Sequence, residues 1–331
     1  MSKSKVKKLK TATIAITYKC NARCIMCNIW KDNVKDELTP DDFLKLPTSL
    51  DDINITGGEP FLRKDIVEIV EKITSKNPKV RLIFSSNGLL SDQITNYMKE
   101  IIKINPNSGI GISIDGIGQT HSEVRGIPDA YEKAIDTVKK LQEFGINDIR
   151  LAFTASDKNV NDLSKVYDLA KELGVEFTMS IVHNSDNYFN IDTNLHADYE
   201  NLEKQVNYVI NEELKHNNPR RLMRIYYLKG ILEYARTGKR ALPCYAVDNA
   251  FFLDAKGEVF PCNMEETSFG NIKSQGFEEI WDSEKTEKIK NICNKCNKCW
   301  MVCTVKNSII KHPLQVAGQV FLDKLKSYTA P

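Results

Sequence analysis

A parallel α/β fold, curled into a partial (β/α)6 barrel of the TIM type and followed by a small cysteine-rich extension, is predicted by three observations. Short β-rich runs alternate with amphipathic helical runs over the first two-thirds of the 331-residue chain. The residues after successive strands are glycine-rich or polar, as expected where a barrel gathers its chemistry at the carboxyl ends of its strands. The nine cysteines fall into a group of three near the start and a group of six near the end.

The strands are expected at 11–17, 51–56, 80–85, 109–114, 148–154 and 175–180, with helices near 39–46, 63–76, 91–104, 129–144 and 161–173. Thr39-Pro40 supplies an N-cap followed by proline at the first helical position, and Ser91 and Asn161 precede other periodic runs. Gly145 and Gly174 are stop signals for the two helices before them. Helical runs near 196–215 and 221–236 follow, broken by Asn217-Asn218-Pro219. Beyond them, 251–253 and 258–260 read as a hairpin around Lys256-Gly257, with a short helix at Phe277–Trp281. The expected division is a basic tail at 1–10, a β/α core at 11–182, a bridging loop and helices at 183–240, a cysteine-rich domain at 241–310 and a C-terminal helix or tail at 311–331.

Composition excludes some functions. Lys+Arg 46 against Asp+Glu 44 gives a net +2, so the body of the protein has no electrostatic case for nucleic acid. Lys3, Lys5, Lys7, Lys8 and Lys10 read as a solvated terminus. No apolar run approaches the ~18 residues of a spanning helix, and the lysine-rich start has no apolar signal core. No membrane association and a cytoplasmic location are therefore expected. In that reducing compartment, clustered cysteines point to metal or redox chemistry rather than disulfides.

The first cysteine group is Cys20-x3-Cys24-x2-Cys27, directly after the first strand. Three thiolates on one loop can hold an iron–sulfur cube by three of its four irons, leaving one iron open to bind a ligand and pass it an electron. A zinc knuckle, which normally takes a fourth protein ligand, and buried cysteines are the alternatives. After the second strand comes Gly57-Gly58-Glu59-Pro60, where two glycines let bare backbone approach a ligand. The third strand leads through Ser85 into Ser86-Asn87-Gly88, and the fourth into Ser113-x-Asp115-Gly116, with Arg125-Gly126 a few residues on. Each is a common turn when taken alone; four around one rim are not.

In this order and on these strands, the motifs resemble those of the radical S-adenosylmethionine (SAM) enzymes, and the match runs over residues 10–180. The resemblance implies a cluster whose open iron is chelated by the amino and carboxylate groups of SAM's methionine half. One electron then splits the sulfonium into methionine and a 5′-deoxyadenosyl radical, which takes hydrogen from a substrate while the protein supplies placement and exclusion of water. It carries cluster ligation to Cys20, Cys24 and Cys27. It assigns the SAM amino group to Gly57, Gly58 and Glu59, chiefly through main-chain acceptors, with Pro60 fixing the turn. Ser113 and Arg125 are expected on the SAM carboxylate or ribose, Ser85, Ser86 and Asn87 on the ribose, and Asp115 in the same cofactor-binding set. Met26 stands where the family usually has an aromatic residue, and can cover the adenine as a soft apolar surface. His183 opens a polar loop, 183–188, that can reach the substrate.

The second group comprises Cys244, Gly257-x4-Cys262 and the run Cys293-x2-Cys296-x2-Cys299-x3-Cys303, which has bacterial ferredoxin spacing with Thr304 in place of the usual proline. A zinc ribbon built from four of these thiolates is the alternative. The segment resembles the SPASM/twitch extensions that carry auxiliary clusters, although its last run is shorter and no seventh cysteine follows Cys303. One auxiliary [4Fe–4S] cluster, or two, is implied. By the ferredoxin analogy Cys303 joins Cys244 and Cys262, leaving Cys293, Cys296 and Cys299 for the other cluster. The rival arrangement puts four ligands on one cluster and leaves two spare thiols. Asn263 replaces the acid that follows the hairpin cysteine in sulfatase maturases, which speaks against sulfatase oxidation.

The resemblance thus leads to a radical SAM oxidoreductase or cross-linking enzyme served by a flavodoxin or ferredoxin-type reductant. The alternatives are a redox-neutral epimerase or rearrangement enzyme, a molybdopterin-type cyclase, and a non-catalytic metal-binding or electron-transfer protein. The cyclase family ends in Gly-Gly where this sequence ends Thr329-Ala330-Pro331. With Cys20 so near the start, the expectation tilts toward a small-molecule or glycosyl substrate over a peptide delivered by another protein.

Overall fold

The computed structural model describes residues 6, 9–32, 34, 37–185, 188–192, 195–293 and 295–329. Lys3, Lys5, Lys7 and Lys8 of the basic tail and Asp186 and Asn187 of the polar loop lie outside these residues. Six strands form the core: β1 (Thr11–Ala15), β2 (Asp52–Thr56), β3 (Arg81–Ser86), β4 (Ser108–Ser113), β5 (Ile149–Ala155) and β6 (Glu176–Ile181). They pair in parallel in chain order, as β-α-β units must if each crossover helix packs back on the sheet. The helices are α1 (Ile66–Lys76), α2 (Ser91–Ile104), α3 (Gln119–Arg125), α4 (Ala130–Glu143) and α5 (Leu163–Glu172). Strand alternation explains the two faces of this layer: Ile149, Leu151, Phe153 and Ala155 of β5 are buried, while Thr154 turns to a cavity inside the barrel.

Two differences from the expected elements have local causes. The run at 39–46 is a 3-10 helix, Pro40–Lys45, because Pro47 forces Leu46 into extended backbone before a full α-turn sequence can build. Asp42 reaches back to accept the Thr39 N–H at 3.0 Å and closes its start. The helix α3 was not expected, since Gln119–Arg125 is a mostly polar run that buries His121, Val124 and Arg125 alone.

The bridging helices α6 (Tyr199–Leu214) and α7 (Pro219–Thr237) lead to α8 (Ala246–Asn249) and β7 (Ala250–Leu253). β7 pairs in parallel with β1, Thr11 opposite Ala250, so the cysteine-rich segment continues the barrel sheet. β8 (Glu258–Phe260) and β9 (Gly270–Asn271) then add antiparallel, giving the order β6-β5-β4-β3-β2-β1-β7-β8-β9. Four helices complete the chain: α9 (Phe277–Trp281), α10 (Glu284–Cys293), α11 (Val302–Lys311) and α12 (Pro313–Thr329). Lys306 of α11 pairs with Asp52 of β2 at 2.9 Å, a second tie between the segment and the core. Among the described residues no helix is long and apolar enough to cross a membrane.

Trp300 anchors this last segment. It is fully buried, and its indole N–H donates to the Tyr227 carbonyl at 2.9 Å. The ring lies on α7 at Gly230, where an added Cβ would fall 2.2 Å from the indole. Gly230→Ala is therefore expected to cost about 1–3 kcal/mol, the usual penalty of overpacking. A chemical denaturation midpoint equal to wild type would refute this account of Gly230.

Candidate functional site

The residues Cys20–Asn28 form neither helix nor strand, so their shape must come from neighbours. On one side the Gly58 N–H donates to Thr17 O and the Glu59 N–H to Lys19 O, both at 2.8 Å. The approach is close: a Cβ on Gly57 would sit 2.1 Å from Thr17 O and one on Gly58 2.2 Å from Lys19 O, and Gly57 has φ +142°. On the other side the Arg23 N–H donates to Arg125 O at 2.9 Å and the Ile25 N–H to Val124 O at 3.0 Å, so α3 docks the loop. The loop is gripped along its backbone between β2's turn and α3.

Glu59 is wholly buried and its carboxylate accepts from Ser86 Oγ at 2.9 Å, Asn87 N at 2.8 Å and Phe61 N at 3.3 Å. Burial pushes its pKa up to about 7, against those three bonds and the Arg125 charge. It thereby ties the second and third strand ends together. Asn87 Nδ2 donates to Asn21 Oδ1 at 2.7 Å, which ties the third to the cysteine loop.

One cavity occupies the carboxyl end of the barrel. Its wall includes Cys20, Cys24, Cys27, Met26, Gly57, Gly58, Ser85, Ser86, Asn87, Ser113 and Arg125 from the predicted site. Glu59, Pro60 and Asp115 are not on that wall. Pro60 starts a short 3-10 helix, and Asp115, fully buried, sits 2.5 Å from Arg125 Nη2 and accepts from Thr154 N at 2.7 Å. Asp115 thus meets the cavity through the guanidinium it pairs with. Burial works against the Arg125 charge and Asp115 more than restores it, so the guanidinium stays ionised. Its Nη1 reaches Cys24 Sγ at 3.5 Å, while its Nε is buried without a partner among the described residues.

Several wall residues had no motif to announce them. Thr56, Thr154 and Ser180 line the cavity as inward positions of β2, β5 and β6. Tyr188 donates its hydroxyl to Gly57 O at 3.2 Å and lies 3.1 Å from Thr56 Oγ1. Phe189 and Met301 complete the wall, Met301 lying between Cys299 and Cys303 in sequence. Only their place in the three-dimensional sheet and loops brings them here.

His183 also lies on this wall, and on that of a second cavity lined by His196, Tyr199, Tyr234 and Lys298. It is 7% exposed, its ring stands edge-on to Tyr234 with centroids 5.6 Å apart, and its Nε2 has no partner among the described residues. Burial, aided by His196 and Arg240, pushes its pKa down to about 4, so the imidazole is neutral near pH 7.

The nine cysteines are all unbridged. Burial pushes Cys20 up to about 11 and Cys27 to about 12, which keeps free thiols protonated. A cluster's iron would supply the positive charge that holds them as thiolates, and Arg125 adds to it, so this donor set fits an iron–sulfur centre. The bare-backbone turn and the unpartnered Arg125 Nε on the same wall fit a ligand with carboxylate and amino groups.

In the second group, burial raises Cys244, Cys262, Cys299 and Cys303, and within every pairing of these four the charge of one thiol raises another further. Cys296 acts in the same way on Cys244, Cys293 and Cys299, and Cys244 on Cys293. The six thiols thus form one continuous group that does not divide into separate ligand sets.

Comparison with known proteins agrees with this geometry. Residues 14–170 match the radical SAM superfamily, and residues 244–300 match SPASM, an iron–sulfur cluster-binding domain. The AdoMet-dependent heme synthase of Methanosarcina barkeri (strain Fusaro / DSM 804) is 28% identical over 288 residues, 81% of this chain and 80% of its own. The sporulation killing factor maturation protein SkfB of Bacillus subtilis (strain 168) is 26% identical over 82% of this chain and 64% of its own length. The solved structure of native anSMEcpe with bound AdoMet superposes with a TM-score of 0.65 at 17% identity, covering 88% of each chain.

The buried Glu59 carries a pH signature. Its usual pKa near 4.5 rises to about 7 on folding, so between these values the folded state holds the extra proton and stability falls as pH rises. Glu59→Gln places an amide N–H against a bonded donor, costing about 1–3 kcal/mol. Its deficit against wild type is expected to shrink from pH 4.5 to 7, as read by denaturation at several pH values. A deficit that is constant across this window would contradict the assignment.

Proposed function

We propose, for a chain that belongs to the radical SAM superfamily and carries a SPASM iron–sulfur domain, an oxidative hydrogen abstraction from a small-molecule, glycosyl or peptide substrate. Its cofactors are S-adenosylmethionine, a [4Fe–4S] cluster and auxiliary iron–sulfur clusters in the SPASM domain. The observation that carries the oxidative reading is that a single cavity is walled both by the Cys20–Cys27 loop and by Met301 of the cysteine-rich segment. A substrate held between them lies beside both metal-binding regions.

When bound, the reduced cluster and SAM supply one electron and a 5′-deoxyadenosyl radical that removes hydrogen from the substrate. The chain's residues place the partners. Cys20, Cys24 and Cys27 hold the cluster, the Gly57–Glu59 main chain receives the amino group, and Arg125 with Ser113 receives the carboxylate or ribose. Ser85, Ser86 and Asn87 serve the ribose, and Met26, buried against Val124 and Val182, covers the adenine. Thr154, Ser180, His183, Phe189 and Met301 are left to face the substrate. The cysteines of the second group hold the auxiliary clusters, and a cytoplasmic flavodoxin or ferredoxin-type protein supplies the electron.

Among the described residues the wall carries hydroxyls, a neutral imidazole and one arginine, with no carboxylate. That lining suits a polar substrate without a strong positive charge. The names of the relatives span a heme synthase and a peptide-factor maturation protein, so similarity alone does not choose the substrate class.

Two experiments test this reading. Anaerobically reconstituted protein should hold clearly more iron than one cubane, and replacing Cys20, Cys24 and Cys27 together by alanine should remove only part; loss of all iron ends the auxiliary-cluster reading. Incubation of reduced enzyme with deuterated metabolite and peptide pools from its host should place deuterium in 5′-deoxyadenosine and identify the substrate. With that substrate, Cys262→Ala should still cleave SAM yet yield no product. Normal product from a Cys262→Ala enzyme shown to lack the auxiliary cluster would favour a redox-neutral epimerisation or rearrangement instead.

A further inference from the structure

Arg240 is a half-buried cation held without a counter-ion. Its Nε donates to Leu242 O at 3.1 Å, its Nη1 to Cys299 O at 2.7 Å and Thr304 Oγ1 at 3.1 Å, and its Nη2 to Ser308 Oγ at 3.3 Å. Its backbone N–H is fixed by Asn297 Oδ1 at 3.0 Å, and its guanidinium lies 5.3 Å from the Trp300 ring centroid. These partners are neutral, and among the described residues no carboxylate lies within ion-pair distance of it. A guanidinium so thoroughly fixed and left electrically unbalanced is costly unless an anion lies beside it.

The remaining contact identifies the anion. Nη1 is 3.8 Å from Cys299 Sγ, and Cys299 is one of the cysteines of the iron–sulfur cluster-binding segment. The Arg240 charge also acts directly on Cys244. We infer that Arg240 is the counter-charge of the auxiliary cluster that Cys299 helps to hold, and that it sets the cluster's reduction potential as a positioning and tuning residue. A cubane with four thiolates is anionic in both oxidation states and gains a further negative charge on reduction. A fixed cation and an N–H donor aimed at a ligating sulfur stabilise the reduced form more than the oxidised one, and so raise the potential. Three of the bonds that hold the fork run to the segment that carries Cys299 and Cys303, so the cation moves with the ligands it serves.

The test uses the full chain with Cys20, Cys24 and Cys27 replaced by alanine, reconstituted anaerobically, so that auxiliary iron alone is observed. Iron content is measured, and the midpoint is taken by potentiometric titration followed by paramagnetic resonance. Arg240→Gln should retain iron and lower the reduction equilibrium constant about tenfold or more, a midpoint at least about 59 mV more negative for one electron. Arg240→Lys, which keeps the charge and loses the fork, should fall between the two. An unchanged midpoint in iron-loaded Arg240→Gln overturns the inference. Should Arg240→Gln fail to load, Arg240→Lys decides: a midpoint below that of the arginine form supports the inference, and an equal one overturns it. If the background protein itself binds no iron, the auxiliary cluster and this inference fall together, whereas an unmoved midpoint removes only the role of Arg240.

Discussion

The main-chain grip on the cysteine loop is the constraint from which the rest of the site follows. A loop with no regular structure holds three thiols at fixed positions only if its own N–H and C=O groups are bonded to something rigid. Here the rigid partners are the Gly57–Glu59 turn and α3, which engage the loop through Thr17, Lys19, Arg23 and Ile25. Both grips depend on where β2 and β4 end, so parallel strand order in the barrel translates directly into cysteine geometry. Glu59 and Asn87 extend the same network to β3, which makes three strand ends and the loop one hydrogen-bonded body. A buried carboxylate with a raised pKa is the cost of that arrangement, and its three bonds offset it.

A second consequence comes from the pairing of β7 with β1. The strand that precedes the cysteine loop is the same strand on which the cysteine-rich segment is built, so the two metal-binding regions share a frame rather than a linker. The packing agrees: Tyr18 and Ile29 from the loop region cluster with Tyr188, Phe252 and Phe260. Tyr18 donates to Asp254 Oδ2 at 3.1 Å, at the turn between β7 and β8. Motion of one region relative to the other would have to break sheet hydrogen bonds and this aromatic contact together, which is how Met301 comes to share a wall with Cys20.

Strands were more legible than side-chain directions. The six core strands lie where alternating and apolar runs place them, and α2 and α9 span the expected residues, because buried β-branched stretches and capped amphipathic helices leave strong local patterns. The helices α3 and α10 were illegible for the opposite reason: each buries few residues among many charged or polar ones, and their stability comes from docking rather than from a stripe. At the site, motifs located the strand ends but not which atoms face the cavity. Asp115 and Ser113 lie two apart on one motif, yet one is sealed behind Arg125 and the other is on the wall. Thr154 and Ser180 belong to no motif and reach the cavity only through sheet register.

The two arginines beside thiols show how one chain can treat two anionic centres differently. Arg125 approaches Cys24 at 3.5 Å, but Asp115 stands 2.5 Å from the same guanidinium and cancels much of its field at the sulfur. Arg240 approaches Cys299 at 3.8 Å with neutral partners alone, so its field is not cancelled. On the proposed oxidative reading, the centre that gives an electron to a sulfonium needs a low potential, and the one that takes an electron from a substrate radical needs a higher one. On that reading, the carboxylate at position 115 and the lack of a counterpart near position 240 among the described residues would bias the two sites in those directions. The difference rests on charge placement at ligand sulfurs, since both sites use the same thiolate chemistry.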